Sequence, residues 1–188
     1  MLISLIGAPG VGKSTVAKLL ANELGYVLIE ENFQNNPFLP EAWANIQASK
    51  PDMSIIYNQL WFIGQYAKIM KSGIKNAIID SGPHMAYIFT TTLERLNLID
   101  HNVSSTLLNT YKSLTPPEGK VFKLELGTEE TLKRINTRGR KFEANCGENS
   151  GGREYVSQII DSVYDYPAIR ISASGSKEQV TQAILAHL

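Results

Sequence analysis

The chain has 188 residues, with 18 Lys+Arg against 18 Asp+Glu, and 43% hydrophobic and 19% charged positions. Zero formal charge argues against a surface that coats polymeric nucleic acid or adheres to a membrane, because either needs a basic footprint, and the composition is globular, not disordered. One cysteine, Cys146, permits no internal disulfide and points to a reducing, cytoplasmic setting.

The first residues, Met1 to Ile6, are apolar but lack a positive leader and meet Gly7. That is too short for a signal peptide or a membrane span, and predicts a buried strand over Leu2–Ile6. A helix is predicted over Lys13–Leu24, with Val16, Leu19, Leu20 and Leu24 on one stripe and Gly25 as its stop. Tyr26–Ile29 reads as a second strand. Asn36-Pro37-Phe38-Leu39-Pro40 is a turn whose last proline suits the start of a helix through Ile46. Asp52 is placed to cap the longest helix, since Met53, Ile56, Tyr57, Leu60, Ile63, Ala67 and Met70 recur at helical spacing up to Gly73.

Ala77–Asp80 is a third strand. Helices near Met85–Leu96 and Val103–Leu114 follow, then a strand at Val121–Leu126 and a helix from Thr128 to about Thr137. The polar, glycine-rich stretch from Gly139 to Gly152 predicts a mobile flap. Tyr155–Tyr164 is helical, Ala168–Ser172 is a fifth strand, and Lys177–Leu188 is a closing amphipathic helix. Apolar strands alternating with helices predict an α/β fold with a buried parallel sheet. No repeat or linker divides the chain, so 1–188 is expected to form one domain.

Gly7-Ala8-Pro9-Gly10-Val11-Gly12-Lys13-Ser14 fits G-x-x-x-x-G-K-[ST], between a strand and a helix, with Thr15 next. Such a loop turns backbone N–H groups toward phosphate oxygens at a helix N-terminus. Lys13 would reach the β- and γ-phosphates of ATP, and the Ser14 hydroxyl would ligate Mg²⁺. Asp80 closes an apolar strand, where a carboxylate holds Mg²⁺ in phosphate-loop proteins or else caps the next helix. Arg134 and Arg138 share a helical face and Arg140 follows Gly139. Guanidinium groups on a lid over about 134–155 would stabilise a moving phosphoryl group; the same pattern also fits a solvated basic face. No Asn-Lys-x-Asp guanine-reading motif is present, which points to a small-molecule phosphotransferase.

With these pieces in order the chain resembles the deoxyribonucleoside kinases, P-loop enzymes that phosphorylate a nucleoside 5′-hydroxyl. The resemblance is carried by Gly7–Thr15, Glu31-Asn32-Phe33, Asn36-Pro37-Phe38-Leu39-Pro40, Gln59-Leu60-Trp61-Phe62, Asp80, and Arg134-Ile135-Asn136-Thr137-Arg138-Gly139-Arg140 with Glu143 behind it. It implies a three-layer P-loop fold with strand order 2-3-1-4-5. It also implies Glu31 as the catalytic base, although an exposed strand-end acid would read the same. Glu30 is adjacent and would face the other way in an extended chain. Gln59 falls at the base-reading glutamine, while Phe33, Phe62 and Trp61 offer stacking surface or core. Arg138 and Arg140 match the lid arginines, Arg134 matches the helix arginine before them, and Ser172–Ser176 matches the loop that cradles adenine. A homodimer through the face of Ile55–Met70 is a further implication.

The departures are specific. Where the family has an arginine after the third-strand acid, this chain has Asp80-Ser81-Gly82, and where it has an acceptor-pocket arginine after the glutamine, this chain has Gly64-Gln65-Tyr66. No proline follows Glu31. Lys68 and His84 are candidate substitutes. The reading is therefore an ATP/Mg²⁺-dependent kinase of a nucleoside or similar small hydroxyl compound. Its alternatives are a P-loop kinase of a nucleotide or non-nucleoside metabolite, and a non-catalytic ATP-binding module.

Overall fold

The computed structural model describes residues 1–114, 119–144 and 146–188. The strands are β1 (Leu2–Ile6), β2 (Val27–Ile29), β3 (Ala77–Asp80), β4 (Gly119–Glu125) and β5 (Ile169–Ser172). The helices are α1 (Lys13–Leu24), α2 (Leu39–Gln47), α3 (Met53–Lys71), α4 (Pro83–Arg95), α5 (His101–Leu114), α6 (Thr128–Arg138), α7 (Ser150–Asp165) and α8 (Lys177–Leu185). All strand pairs are parallel, in the order β2-β3-β1-β4-β5. This is the expected α/β fold with the expected order. No described helix is long and apolar enough to cross a membrane.

Alternation along the strands divides the core between the two sheet faces. Ile3, Leu5, Ile78, Phe122, Leu124 and Ile171 pack against Val16 and Leu20 of α1 and Val180 and Ile184 of α8. On the other face Ile6 meets the larger helical layer, where Met85, Leu93, Tyr111, Val156 and Ile159 are buried. Lys123, on β4, is buried too, and its ammonium donates to the carbonyls of Tyr164 and, at 3.0 Å, Tyr166. Those carbonyls end α7, where a cation is favoured.

Local signals set most boundaries. Gly25 (φ 64°) stops α1, and the Tyr26 N–H turns back to the Ala21 carbonyl, so β2 begins at Val27 and not at Tyr26. The Asp52 carboxylate accepts from the Ser54 N–H at 2.8 Å and caps α3. Asn36 accepts from the Phe38 N–H at 3.0 Å and donates to Asn58 Oδ1 at 2.7 Å. The Asn-Pro-Phe-Leu segment thus ties the start of α2 to the buried face of α3.

The region read as a flap departs from expectation. Gly139 (φ 65°) ends α6 and a 3₁₀ turn follows at Lys141–Glu143, while Asn145 lies outside the described residues. Beyond it, α7 starts at Ser150, not Tyr155, with Asn149 accepting from the N–H groups of Gly151 and Gly152. Ser-Gly-Gly has poor intrinsic helix propensity, so sequence alone argues against a helix there. Packing overrides propensity: a Cβ on Gly151 would lie 2.4 Å from the Gln47 carbonyl oxygen, and one on Gly152 would lie 2.9 Å from the Cys146 carbonyl oxygen. Buried Gly151 lets α7 approach α2 closely, and buried Gly152 lets it approach Cys146 in the connection before it. Gly151→Ala is expected to destabilise the fold by about 2–3 kcal/mol through overpacking against backbone; a denaturant titration against wild type measures the loss.

Candidate active site

The loop after β1, the segment after β2, the end of β3 and the α6–α7 connection converge at the carboxyl edge of the sheet. They enclose a cavity of about 310 Å³. Of the residues singled out in the sequence, Pro9, Gly10, Gly12, Lys13, Ser14, Thr15, Glu31, Phe33, Gln59, Phe62, Asp80, Arg134, Arg138 and Arg140 line it. Gly7, Ala8 and Val11 do not line it and form the inner wall of the loop; Ala8 and Val11 are buried.

The phosphate loop is held by its glycines. Gly10 (φ 85°) and Gly12 (φ 105°) occupy left-handed backbone space. A Cβ on Gly10 would lie 2.9 Å from Ile135 and 3.1 Å from the Thr131 carbonyl oxygen, so the loop sits directly on α6. The Lys13 ammonium donates to the Gly7 and Ala8 carbonyls at 2.8 and 3.1 Å. Burial holds its pKa below the usual lysine range, against the opposing pull of Asp80 and Glu31.

Glu31 lines the cavity, whereas neighbouring Glu30 points out and pairs with exposed Lys18 at 2.9 Å. Burial, then the nearby Asp80 carboxylate, push the Glu31 carboxyl up to about 7, despite Lys13, a hydrogen bond from Tyr66, and Arg140. Asp80 is buried, and its Oδ1 has no hydrogen-bond partner among the described residues. An orphaned carboxylate oxygen across a cavity that Ser14 also lines is a hard-oxygen donor set of the kind Mg²⁺ prefers. These residues fit the metal.

Arg138 and Arg140 are restrained by one carboxylate. Glu143 is buried and forms a two-pronged pair with Arg138, through Nε–Oε2 at 2.6 Å and through Nη2–Oε1. Arg140 lies 3.7 Å from the same carboxylate and stacks 4.0 Å over the Phe33 ring centroid. Arg134 pairs with Glu130 at 3.0 Å and donates to the Ala173 carbonyl at 3.4 Å, joining α6 to the loop after β5.

The far end of the cavity is aromatic and uncharged. Gln59 is buried, with Oε1 receiving Tyr111 OH at 3.0 Å and Thr90 Oγ1 at 3.3 Å. Trp43, Phe142 and Tyr155 join Phe33 and Phe62 there; Trp43 contacts Phe142 and Tyr155 edge-on at 6.0 and 5.5 Å. None of Trp43, Asn58, Tyr66, Tyr111 and Tyr155 was singled out as a site residue from the sequence. Tyr66 carried a usable signal, lying seven residues after Gln59 and so on the same helical face. Trp43 and Tyr155 carried none, since aromatics at helical spacing usually mean core. Conversely, Trp61 packs beside Phe62 outside the cavity. Neither candidate substitute for the missing arginines is present: Lys68 is exposed away from the cavity, and buried His84 bonds Tyr166 OH at 2.8 Å, its pKa lowered by burial.

A sequence profile for deoxynucleoside kinases matches residues 3–166. The chain belongs to the deoxynucleoside kinase family. This kinase is 27% identical over 157 residues to the deoxyadenosine/deoxycytidine kinase of Bacillus subtilis strain 168, covering 76% of this chain and 67% of that protein. Its fold matches that of deoxyadenosine kinase from M. mycoides with dCMP and a flexible dCDP bound: TM-score 0.81, 23% identity, 100% of this chain and 97% of the other. The dATP-bound form of that protein matches with TM-score 0.79 at 22% identity, over 100% and 98% of the two chains. Family membership makes the protein an ATP-dependent phosphotransferase acting on nucleosides.

The Glu31 environment has a stability consequence. Its folded-state pKa of about 7 exceeds the ordinary 4.5, so the folded form binds this proton more tightly than the unfolded chain. The contribution therefore favours folding at low pH and is lost as pH rises through about 7. Glu31→Gln is expected to raise the melting temperature at pH about 8 by several degrees, while leaving it nearly unchanged at pH about 4, below both values; thermal unfolding at both pH values checks this.

Proposed function

We propose that this kinase transfers the γ-phosphate of ATP to the 5′-hydroxyl of a deoxynucleoside. The observation that carries the reading is the division of the cavity. Every cation lining it, Lys13, Arg134, Arg138 and Arg140, comes from the phosphate loop or α6 and its C-terminal edge, while α2, α3 and α4 contribute only aromatic, apolar and amide groups. A polyanionic donor fits the first part and an uncharged base and sugar fit the second. An already phosphorylated acceptor would find no cation of its own among the described residues there. The names of the relatives make deoxyadenosine and deoxycytidine the first acceptors to test.

In this reading the loop Gly7–Thr15 wraps the phosphates with its backbone N–H groups, and Lys13 leaves its two carbonyls to meet the β- and γ-phosphates. Ser14 and Asp80 would hold Mg²⁺, which when bound neutralises charge on the phosphate oxygens. Gln59, its oxygen end held by Thr90 and Tyr111, reads the base between Phe33 and Phe62. Glu31 accepts the proton of the attacking hydroxyl, and a pKa of about 7 suits a base working near neutrality. Arg138 and Arg140 stabilise charge on the moving phosphoryl group, and the lid over about 134–155 excludes the water that competes with the acceptor. Arg134, bridged to Ala173, steadies the adenine side.

The same proposal covers the wider setting. Residues 1–188 act as one P-loop domain, in the cytoplasm, where free buried Cys146 stays reduced. Met53, Tyr57 and Leu60, exposed along α3, support a homodimer through the outer side of that helix, while Ile55, Phe62 and Tyr66 face inward.

Transfer of labelled γ-phosphate from ATP with Mg²⁺, across ribo- and deoxynucleosides, their monophosphates and simple sugars, tests the proposal. Labelled deoxynucleoside monophosphate is expected, and label appearing only in a diphosphate or a sugar phosphate overturns it. Lys13→Ala should lower turnover at least about 100-fold. In the free enzyme, kcat/KM should rise with pH through about 7 as Glu31 loses its proton. A flat profile from about pH 5 to about pH 9 would move the base elsewhere.

A further inference from the structure

Among the described residues, one side-chain hydrogen bond is made to Glu31: Tyr66 OH donates to Oε1 at 3.2 Å. Tyr66 stands on α3 and is 3% exposed. Its ring stacks on Phe62, with centroids 6.1 Å apart and planes 19° apart, and Phe62 is wedged edge-on against Trp61 at 5.1 Å. The phenol is therefore fixed in place by packing and cannot follow Glu31 if the carboxylate turns away. No cation comes from β3 to do this work, because Asp80 is followed by Ser81 and Gly82.

We propose that Tyr66 is a positioning residue for the catalytic base: it pins Glu31 Oε1 and so presents Oε2 to the acceptor hydroxyl. The inference rests on Glu31 being the base. A carboxylate has two equivalent oxygens on a flexible stem, and in an aromatic cavity a free one samples several rotamers. One fixed donor on one oxygen removes most of that freedom. The phenol suits the task because it is neutral and offers a single proton. Burial and the facing Glu31 carboxylate hold its pKa well above the usual tyrosine range, so it donates throughout the working range of the enzyme. A lysine or arginine there would also pin the carboxylate, but would add a charge to the end of the cavity that takes the uncharged acceptor.

The test is a double-mutant cycle with Tyr66→Phe and Glu31→Gln, read by kcat and KM for the preferred deoxynucleoside and by ATP binding. Tyr66→Phe keeps the ring and its stacking. Its kcat is expected to fall about tenfold, with KM for the acceptor within about threefold and ATP affinity unchanged. In the Glu31→Gln background the same change should cost no further kcat, since there is no longer a base to position. An unchanged kcat in Tyr66→Phe overturns the proposal, and so does an equal loss in both backgrounds. If Tyr66→Phe does not fold, 3-fluorotyrosine at position 66, a nearly isosteric and stronger donor, replaces it; a kcat altered by more than about twofold supports the proposal and an unaltered one overturns it. Glu31→Gln alone separates the two levels. Turnover at the wild-type rate removes the base assignment itself, whereas a slow Glu31→Gln with an unaffected Tyr66→Phe removes only the role of Tyr66.

Discussion

The site depends on two carboxylates and one ammonium brought together at the carboxyl edge of a parallel sheet. Because β3 lies between β1 and β2, Lys13 beyond β1, Asp80 at the end of β3 and Glu31 beyond β2 come to line one cavity. Burial alone opposes every one of these charges, which is why Glu31 holds its proton to about 7 and the Lys13 pKa is lowered. Each opposite charge partly offsets that cost for the other. The result is one carboxyl group, Glu31, that titrates near neutrality beside a second, Asp80, whose Oδ1 has no hydrogen-bond partner among the described residues.

The stretch from Arg134 to Glu143 meets the same problem along another wall of the cavity. Three arginines close to a phosphate site would repel one another and sample many rotamers if left free. Buried Glu143 binds one through two hydrogen bonds and attracts a second, and the Phe33 face occupies the second as well. Arg134 is held separately by Glu130 and the Ala173 carbonyl. The helix that carries Arg134 and Arg138 rests on the phosphate loop at Gly10, so loop and helix are in direct contact. The guanidinium groups that line the cavity are therefore held in place by their own carboxylate and carbonyl partners.

At the aromatic end of the cavity the chain has packing in place of charge. Ser81 takes a left-handed φ of 75° and Gly82 a φ of 80°, and a Cβ on Gly82 would lie 2.7 Å from Ile79. The backbone leaves β3 by a tight turn at the point where the family places its arginine. What orders Glu31 and Gln59 is instead a set of buried hydroxyls, from Tyr66, Tyr111 and Thr90, two of them on helices packed behind α3. Neutral donors of this kind fix side chains without adding charge to the cavity.

The sequence by itself determined the sheet, the phosphate loop, and the set of residues that carry charge in the site. Strand and loop signals are local: an apolar run, a glycine pattern, a capping Asp52, a stopping Gly25. Charged residues in such a framework stand out because burying them needs a reason. Tertiary structure alone decided three things. It made Gly151 and Gly152 helical, because close approach of α7 to α2 outweighs poor propensity. It turned Glu143 from a residue behind the arginines into the anchor of two of them. It also assembled the aromatic wall of Trp43, Phe142 and Tyr155 from segments far apart in the chain. Aromatic and hydroxyl side chains look the same in sequence whether they fill a core or line a cavity, and only the packing of distant helices separates the two.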